Sequence, residues 1–214
     1  MAETIRITEI FYSLQGESKT VGLPTVFIRL TGCPLRCQYC DTEYAFQGGN
    51  SLSIDTIIEH AKSFYTPYIT VTGGEPLAQK NCLQLLKKLA DNDLNVSLET
   101  SGALDIAQVD DRVIKIMDLK TPGSGEIHRN RYQNIDFLNS SDQVKFVISH
   151  REDYLWSKSI LEKYLINQRC EVLFSPCAEV QNPAQLADWI LEDQLPVRFQ
   201  LQLHKILWGN VAGK

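Results

Sequence analysis

The chain has 214 residues, 43% of them hydrophobic and 22% charged, with a formal net charge of −5. That length and balance suit one globular domain, 1–214, with its own core, and argue against a basic stripe for nucleic acid. No apolar run approaches the roughly 20 residues of a membrane span, and the opening Met1-Ala2-Glu3-Thr4-Ile5-Arg6 lacks the basic and apolar regions of a leader. A cytoplasmic protein with reduced thiols, no membrane partner and no direct nucleic-acid partner is expected.

Along the chain, short β-rich runs alternate with helical patterns. Residues 12–18 read as a loop before a first strand, Thr25–Leu30, which feeds a cysteine-bearing loop over 31–42. Ile54, Ile57, Ile58, Ala61 and Phe64 recur at helical spacing after Ser53, a candidate N-cap. Tyr68–Thr72 reads as a strand stopped by Gly73-Gly74, and a leucine-rich helix follows Pro76. Further strands are expected at Leu94–Leu98, Val113–Met117, Gln143–Ile148, Glu171–Phe174 and Val197–Leu203, with helices after the third and fourth of these five. The alternation predicts an α/β fold, a partial (β/α) barrel with an open parallel sheet. Gly73-Gly74-Glu75-Pro76, Glu99-Thr100-Ser101-Gly102, Asp118-Leu119-Lys120 and Ser175-Pro176 each follow a strand. That rim is where α/β barrels build their sites.

Three of six cysteines, Cys33, Cys37 and Cys40, lie in that loop at C-x3-C-x2-C spacing. Three thiolates can hold three irons of a cubane cluster and leave the fourth iron open for chemistry. Zinc would want four ligands, commonly in two pairs, and the nearest downstream histidine is His60, in a helical pattern. A disulfide framework suits a much smaller chain. Cys82 falls among leucines, while Cys170 begins and Cys177 ends an apolar run, so these three read as ordinary buried thiols.

The spacing, with Tyr39 just before the last cysteine, closely resembles the radical S-adenosylmethionine (SAM) superfamily. The resemblance implies a [4Fe–4S] cluster on Cys33, Cys37 and Cys40. It also implies SAM held by Tyr39, Cys40, Asp41, Gly73, Gly74, Glu75, Glu99, Ser101, Asp118, Leu119, Lys120, Phe174, Ser175 and Pro176. Within that fold, the Gly73-Gly74-Glu75-Pro76 stretch would bind the amino group of the methionine moiety.

Ser13-Leu14-Gln15-Gly16-Glu17-Ser18, Arg29 before the cysteine loop, Asp41-Thr42 after it, and Gln202-Leu203-His204-Lys205 narrow the match. Together they resemble the 7-carboxy-7-deazaguanine synthase family over essentially the whole chain. Departures are mild: Pro34 where Asn is common, Tyr39 where Trp is frequent, and Leu203 where Thr is usual; the tail 206–214 matches no motif. The resemblance implies a lyase that contracts 6-carboxy-5,6,7,8-tetrahydropterin to 7-carboxy-7-deazaguanine with loss of ammonia, on the path to queuosine and related deazapurines. A radical made from SAM would take hydrogen from C6 and later return it.

Leu14, Gln15, Gly16, Glu17, Arg29 and Thr72 would bind the pterin, and Thr42 would ligate Mg²⁺. Arg29 suits a carboxylate because its guanidinium is a planar fork. Gln15 and Glu17 can read ring N–H groups, and the Thr42 hydroxyl suits a hard cation. A flavodoxin or ferredoxin as electron donor, and a homodimer, complete the expectation. The alternative is another small radical SAM enzyme, such as a glycyl-radical activase, which would need neither Gln15-Gly16-Glu17 nor Arg29; an iron–sulfur carrier or a zinc structural protein would be a different class.

Overall fold

A computed structural model describes residues 3–214. Met1 and Ala2, on which the reading of the opening segment and of the 1–214 span partly rests, lie outside the described residues.

The chain opens with strand β1 (Thr4–Leu14), returns antiparallel as β2 (Pro24–Leu30), and adds a short β3 (Asn50–Ser53) beyond β1. Then come α1 (Ile54–Lys62), β4 (Tyr68–Gly73), α2 (Cys82–Ala90), β5 (Asn95–Thr100) and β6 (Ile114–Asp118). The second half adds β7 (Gln143–Ile148), α3 (Arg151–Tyr164), β8 (Glu171–Pro176), α4 (Pro183–Glu192), β9 (Arg198–Phe199) and α5 (Leu203–Trp208). The sheet order is β3-β1-β2-β4-β5-β6-β7-β8-β9, and every pairing from β2 onward is parallel. It does not close, so the partial barrel with an open sheet is the architecture found.

Local chemistry accounts for the elements. The Ser53 hydroxyl accepts from the Thr56 N–H at 3.1 Å, capping α1 as expected. Asn182 caps α4 by accepting from the Ala184 N–H at 2.9 Å, with Pro183 at the first helical position. In α2 the buried face is Cys82, Leu85, Leu86 and Leu89, all fully enclosed against the sheet. Each such leucine contributes about 1.5–3 kcal/mol relative to exposure.

Two crossovers lack an α-helix. From β5 to β6, and from β6 to β7, the chain runs through loops and 3₁₀ turns whose Ile106, Val109, Ile135 and Leu138 fill the core instead. Buried Asn134 stitches the two loops, donating to the Gly102 and Leu104 carbonyls at 3.0 and 2.7 Å.

Two expectations are corrected. Thr4–Leu14 is an eleven-residue strand, so residues 12–14 of the supposed loop 12–18 belong to β1. Val197–Leu203 contains only a two-residue strand, because the chain leaves the sheet at Gln200 to grip the N-terminal segment. The Gln200 amide accepts from the Ser18 N–H at 2.7 Å and donates to the Ser18 carbonyl at 3.0 Å. Leu203 then starts α5, its N–H bonded to the Gly16 carbonyl at 2.9 Å.

Candidate active site

The C-terminal ends of the parallel strands open into one cavity of about 710 Å³, a size suited to small-molecule ligands. Its walls come from the cysteine loop, the segment after β4, the ends of β5 and β6, the middle of β7, and the two chain-terminal segments.

The cysteine loop is held from below and from the side. Leu35 is buried, and the Arg36 guanidinium donates to the Cys33 and Leu35 carbonyls at 2.8 and 2.6 Å while lying over the Phe46 ring. The Arg36 N–H donates to Glu126 at 2.6 Å, and the Gln38 N–H to the Ser124 carbonyl at 3.0 Å. Cys33, Cys37 and Cys40 are free thiols that all line the cavity. Burial pushes each upward, Cys37 to about 11, so loading a metal there must displace protons. Among the described residues no three His, Cys, Asp or Glu side chains converge on a single ion.

Gly73 and Gly74 serve the cysteine loop directly. The Gly74 N–H donates to the Leu30 carbonyl at 3.1 Å and the Glu75 N–H to the Gly32 carbonyl at 2.8 Å. A Cβ on Gly74 would overlap the Gly32 carbonyl and come within 2.8 Å of the Cys33 Cβ. Only glycine permits that approach.

Glu75 does not face the cavity. It is fully buried, and its carboxylate accepts from Thr100 Oγ1, from the Leu77 N–H at 3.1 Å, and from the Ser101 N–H at 2.7 Å and hydroxyl. It shapes the Ser101 wall. Leu119 and Phe174 are likewise core residues, and Ser175 is buried. None of the three lines the cavity; Leu119 and Phe174 point into the hydrophobic layer. Pro176 lines a neighbouring groove. The other expected SAM residues, Tyr39, Cys40, Asp41, Gly73, Gly74, Glu99, Ser101, Asp118 and Lys120, all reach the cavity.

Within the cavity, Asp118 Oδ2 meets Lys120 at 3.1 Å and Lys145 at 3.5 Å. Burial opposes the Lys120 charge, and Asp118, Tyr39 and Cys37 together outweigh it, raising the ammonium above its ordinary value. Asp118 Oδ1 and the Tyr39 hydroxyl are buried polar atoms without a protein partner. Orphan acceptor and donor groups along one wall suit a polar cofactor such as a nucleoside.

Leu14, Gln15, Gly16, Glu17, Arg29 and Thr72 line the same cavity. Gln15 donates to Thr70 at 3.1 Å and to Glu99 at 3.4 Å, and Thr72 donates to Glu99 at 2.8 Å. Burial, then the charge on Glu17, raises the Glu99 carboxyl above its ordinary value. Thr42 is at the rim, where its hydroxyl donates to Asp41 at 2.8 Å.

Sequence reasoning missed several residues. Glu9 holds Arg29, and Tyr44 and Phe11 flank the guanidinium. Lys145 enters from β7; its alternation with buried Val144 and Phe146 was the available signal. His204 packs so tightly on Gly16 that any Cβ there would overlap the imidazole. Lys205 pairs with Asp41 at 2.8 Å, and residues 209–214 complete the wall. Cys177, read as an ordinary buried thiol, also reaches the cavity.

A parallel α/β sheet whose strand ends surround a C-x3-C-x2-C loop defines a radical SAM protein, and residues 27–121 match the Radical SAM superfamily. That class works with a [4Fe–4S] cluster and SAM. The chain is 44% identical to the 7-carboxy-7-deazaguanine synthase of Chlorobaculum tepidum, covering 97% of this chain and 96% of the relative. It is 41% identical to that of Koribacter versatilis, covering 95% and 97%. The crystal structure of QueE from Escherichia coli shares the fold with a TM-score of 0.76 at 19% identity, over 94% of this chain and 95% of the other. The chain belongs to the 7-carboxy-7-deazaguanine synthase family.

Proposed function

We propose that this chain, as one domain, converts 6-carboxy-5,6,7,8-tetrahydropterin to 7-carboxy-7-deazaguanine with loss of ammonia. The supporting observation is that Gln15, Glu17 and Arg29 share one cavity with the three loop thiols. When bound, the cluster and SAM supply the one-electron chemistry that removes a hydrogen atom from the pterin C6 and later returns it.

Cys33, Cys37 and Cys40 hold the cluster. Tyr39, Asp41, Gly73, Gly74, Glu99, Ser101, Asp118 and Lys120 frame SAM, with Glu75 acting from behind by fixing Ser101. Arg29 presents its two Nη groups to the substrate carboxylate, while Gln15, Glu17, Thr72 and the backbone at Leu14 and Gly16 read the ring edge. Thr42 offers its hydroxyl to Mg²⁺ at the rim. The tail residues 209–214 complete the wall of the cavity.

A homodimer in the cytoplasm, reduced by a flavodoxin or ferredoxin and feeding queuosine synthesis, completes the reading. No helix among the described residues is long and apolar enough to cross a membrane. The decisive test incubates anaerobically reconstituted protein with reductant, SAM and the carboxytetrahydropterin, and weighs the product. A product lacking one ammonia supports the reading; SAM cleavage with intact pterin overturns it.

A further inference from the structure

Lys145 sits mid-strand in β7, in register with Asp118 of β6. Val144 and Phe146 on either side are buried in the core, so strand alternation turns the lysine into the cavity. Its ammonium lies 2.6 Å from Glu17 Oε2 and 3.5 Å from Asp118 Oδ2, with 14% of the side chain exposed. The other Glu17 oxygen accepts from Gln202 at 2.7 Å. Both oxygens are therefore fixed, one from the sheet and one from the C-terminal segment. Lys145 is the one cation paired with Glu17 among the described residues.

The surroundings show why a cation is needed. Glu99 of β5 faces Glu17 across Gln15, and His204 of α5 lies beside it. Two carboxylates in an enclosed site disfavour each other's charge unless a cation intervenes. A Glu17 that reads ring N–H groups must accept, which only its charged form does with both oxygens. Asp118 has a second partner in Lys120, so it does not depend on Lys145 alone. Glu17 has no such reserve.

We propose that Lys145 is a positioning residue of the substrate site, fixing the Glu17 carboxylate toward the N–H edge of a pterin-like ligand. One ammonium thereby ties the substrate wall to the cofactor wall at Asp118. The assignment rests on the function proposed above and adds a residue to it.

The test is a double-substitution cycle on reconstituted holoenzyme with SAM and no reductant, titrating the carboxytetrahydropterin by calorimetry. Lys145→Met and Glu17→Gln should each weaken binding on the order of tenfold or more. The double variant should bind no worse than the weaker single, because both changes remove one interaction. Lys145→Arg should recover most of the affinity. Should Lys145→Met not fold, Lys145→Gln enters the same cycle. Losses that multiply in the double variant, or wild-type affinity in Lys145→Met, overturn the proposal while leaving the substrate reading intact. A wild-type holoenzyme that binds SAM but not the pterin overturns the substrate reading, and this proposal with it.

Discussion

Glu9 takes the Nε of Arg29 at 2.7 Å and leaves both Nη groups without a protein acceptor among the described residues. The same Glu9 oxygen accepts from the Tyr44 hydroxyl at 2.8 Å, so the carboxylate is itself held. A guanidinium gripped by one edge presents the other as a two-pronged donor. Arg29→Lys keeps the charge but supplies a single point donor that cannot serve Glu9 and a ligand in the same geometry. Losing one charge-assisted bond costs about 1.5–3 kcal/mol, or roughly ten- to a hundredfold in kcat/KM for the pterin. Steady-state kinetics check this, and an unchanged kcat/KM would remove Arg29 from the substrate site.

Cluster loading separates the two sets of cysteines. Cys33→Ala, Cys37→Ala and Cys40→Ala should each abolish turnover while the melting curve of the protein before reconstitution shifts little, since these thiols are only half-buried. Cys170→Ala, away from the cavity, should leave iron content and turnover within severalfold. Iron analysis and visible absorption after anaerobic reconstitution decide it; iron lost in Cys170→Ala contradicts the three-ligand loop.

Glu75 gives a stability prediction. Glu75→Gln places an amide donor where the carboxylate accepts from Thr100, Ser101 and Leu77. Mispairing a buried donor costs about 1–3 kcal/mol, so the melting midpoint should fall and SAM binding should weaken with it. A midpoint equal to wild type would show that these bonds do not hold the Ser101 wall.

The Lys145–Glu17 pair carries a pH signature. Burial would raise the Glu17 carboxyl, but Lys145, with Gln202 and His204, outweighs it and holds it below its ordinary 4.5. The stabilisation is therefore fully present above about 4.5 and is lost as pH falls through the lower folded value. The melting midpoint of Glu17→Gln should lie below wild type at pH 7, with the gap closing under acid. A gap that stays constant from pH 7 down to pH 3 would refute the assignment.

Thr42 is tested by metal dependence. Thr42→Ala should weaken the response of turnover to added Mg²⁺, seen as a shifted activation curve in chelated enzyme. Wild-type turnover indifferent to Mg²⁺ would leave Thr42 only its bond to Asp41.

The cysteine loop and the strand ends were legible because their spacing is local, and local spacing survives any packing. What the carboxylate of Glu75 would face was not, since the motif fixes its place in the chain and says nothing of which side chains await it. β1 carries an alternating Ile5 and Ile7, but a bulge near Glu9 breaks the pattern just where the strand turns a charge toward Arg29. The apolar run around Val197 reads as a strand throughout, yet the bonds that end it lie on Ser18 and Gly16, far away in sequence. Lys145 resembles the solvent face of a half-buried strand; its solvent is the cavity.

The clasp between the first and last parts of the chain also sets an order of events during synthesis. Ser18 and Gln200 are 182 positions apart, and Glu17 and Gln202 are 185. At roughly 5–20 residues per second, the early segment waits about ten to forty seconds on the ribosome for its partner. The cysteine loop emerges long before that wait is over. A nascent chain that stalls short of Gln200 would carry all three cluster thiols behind an unfinished wall.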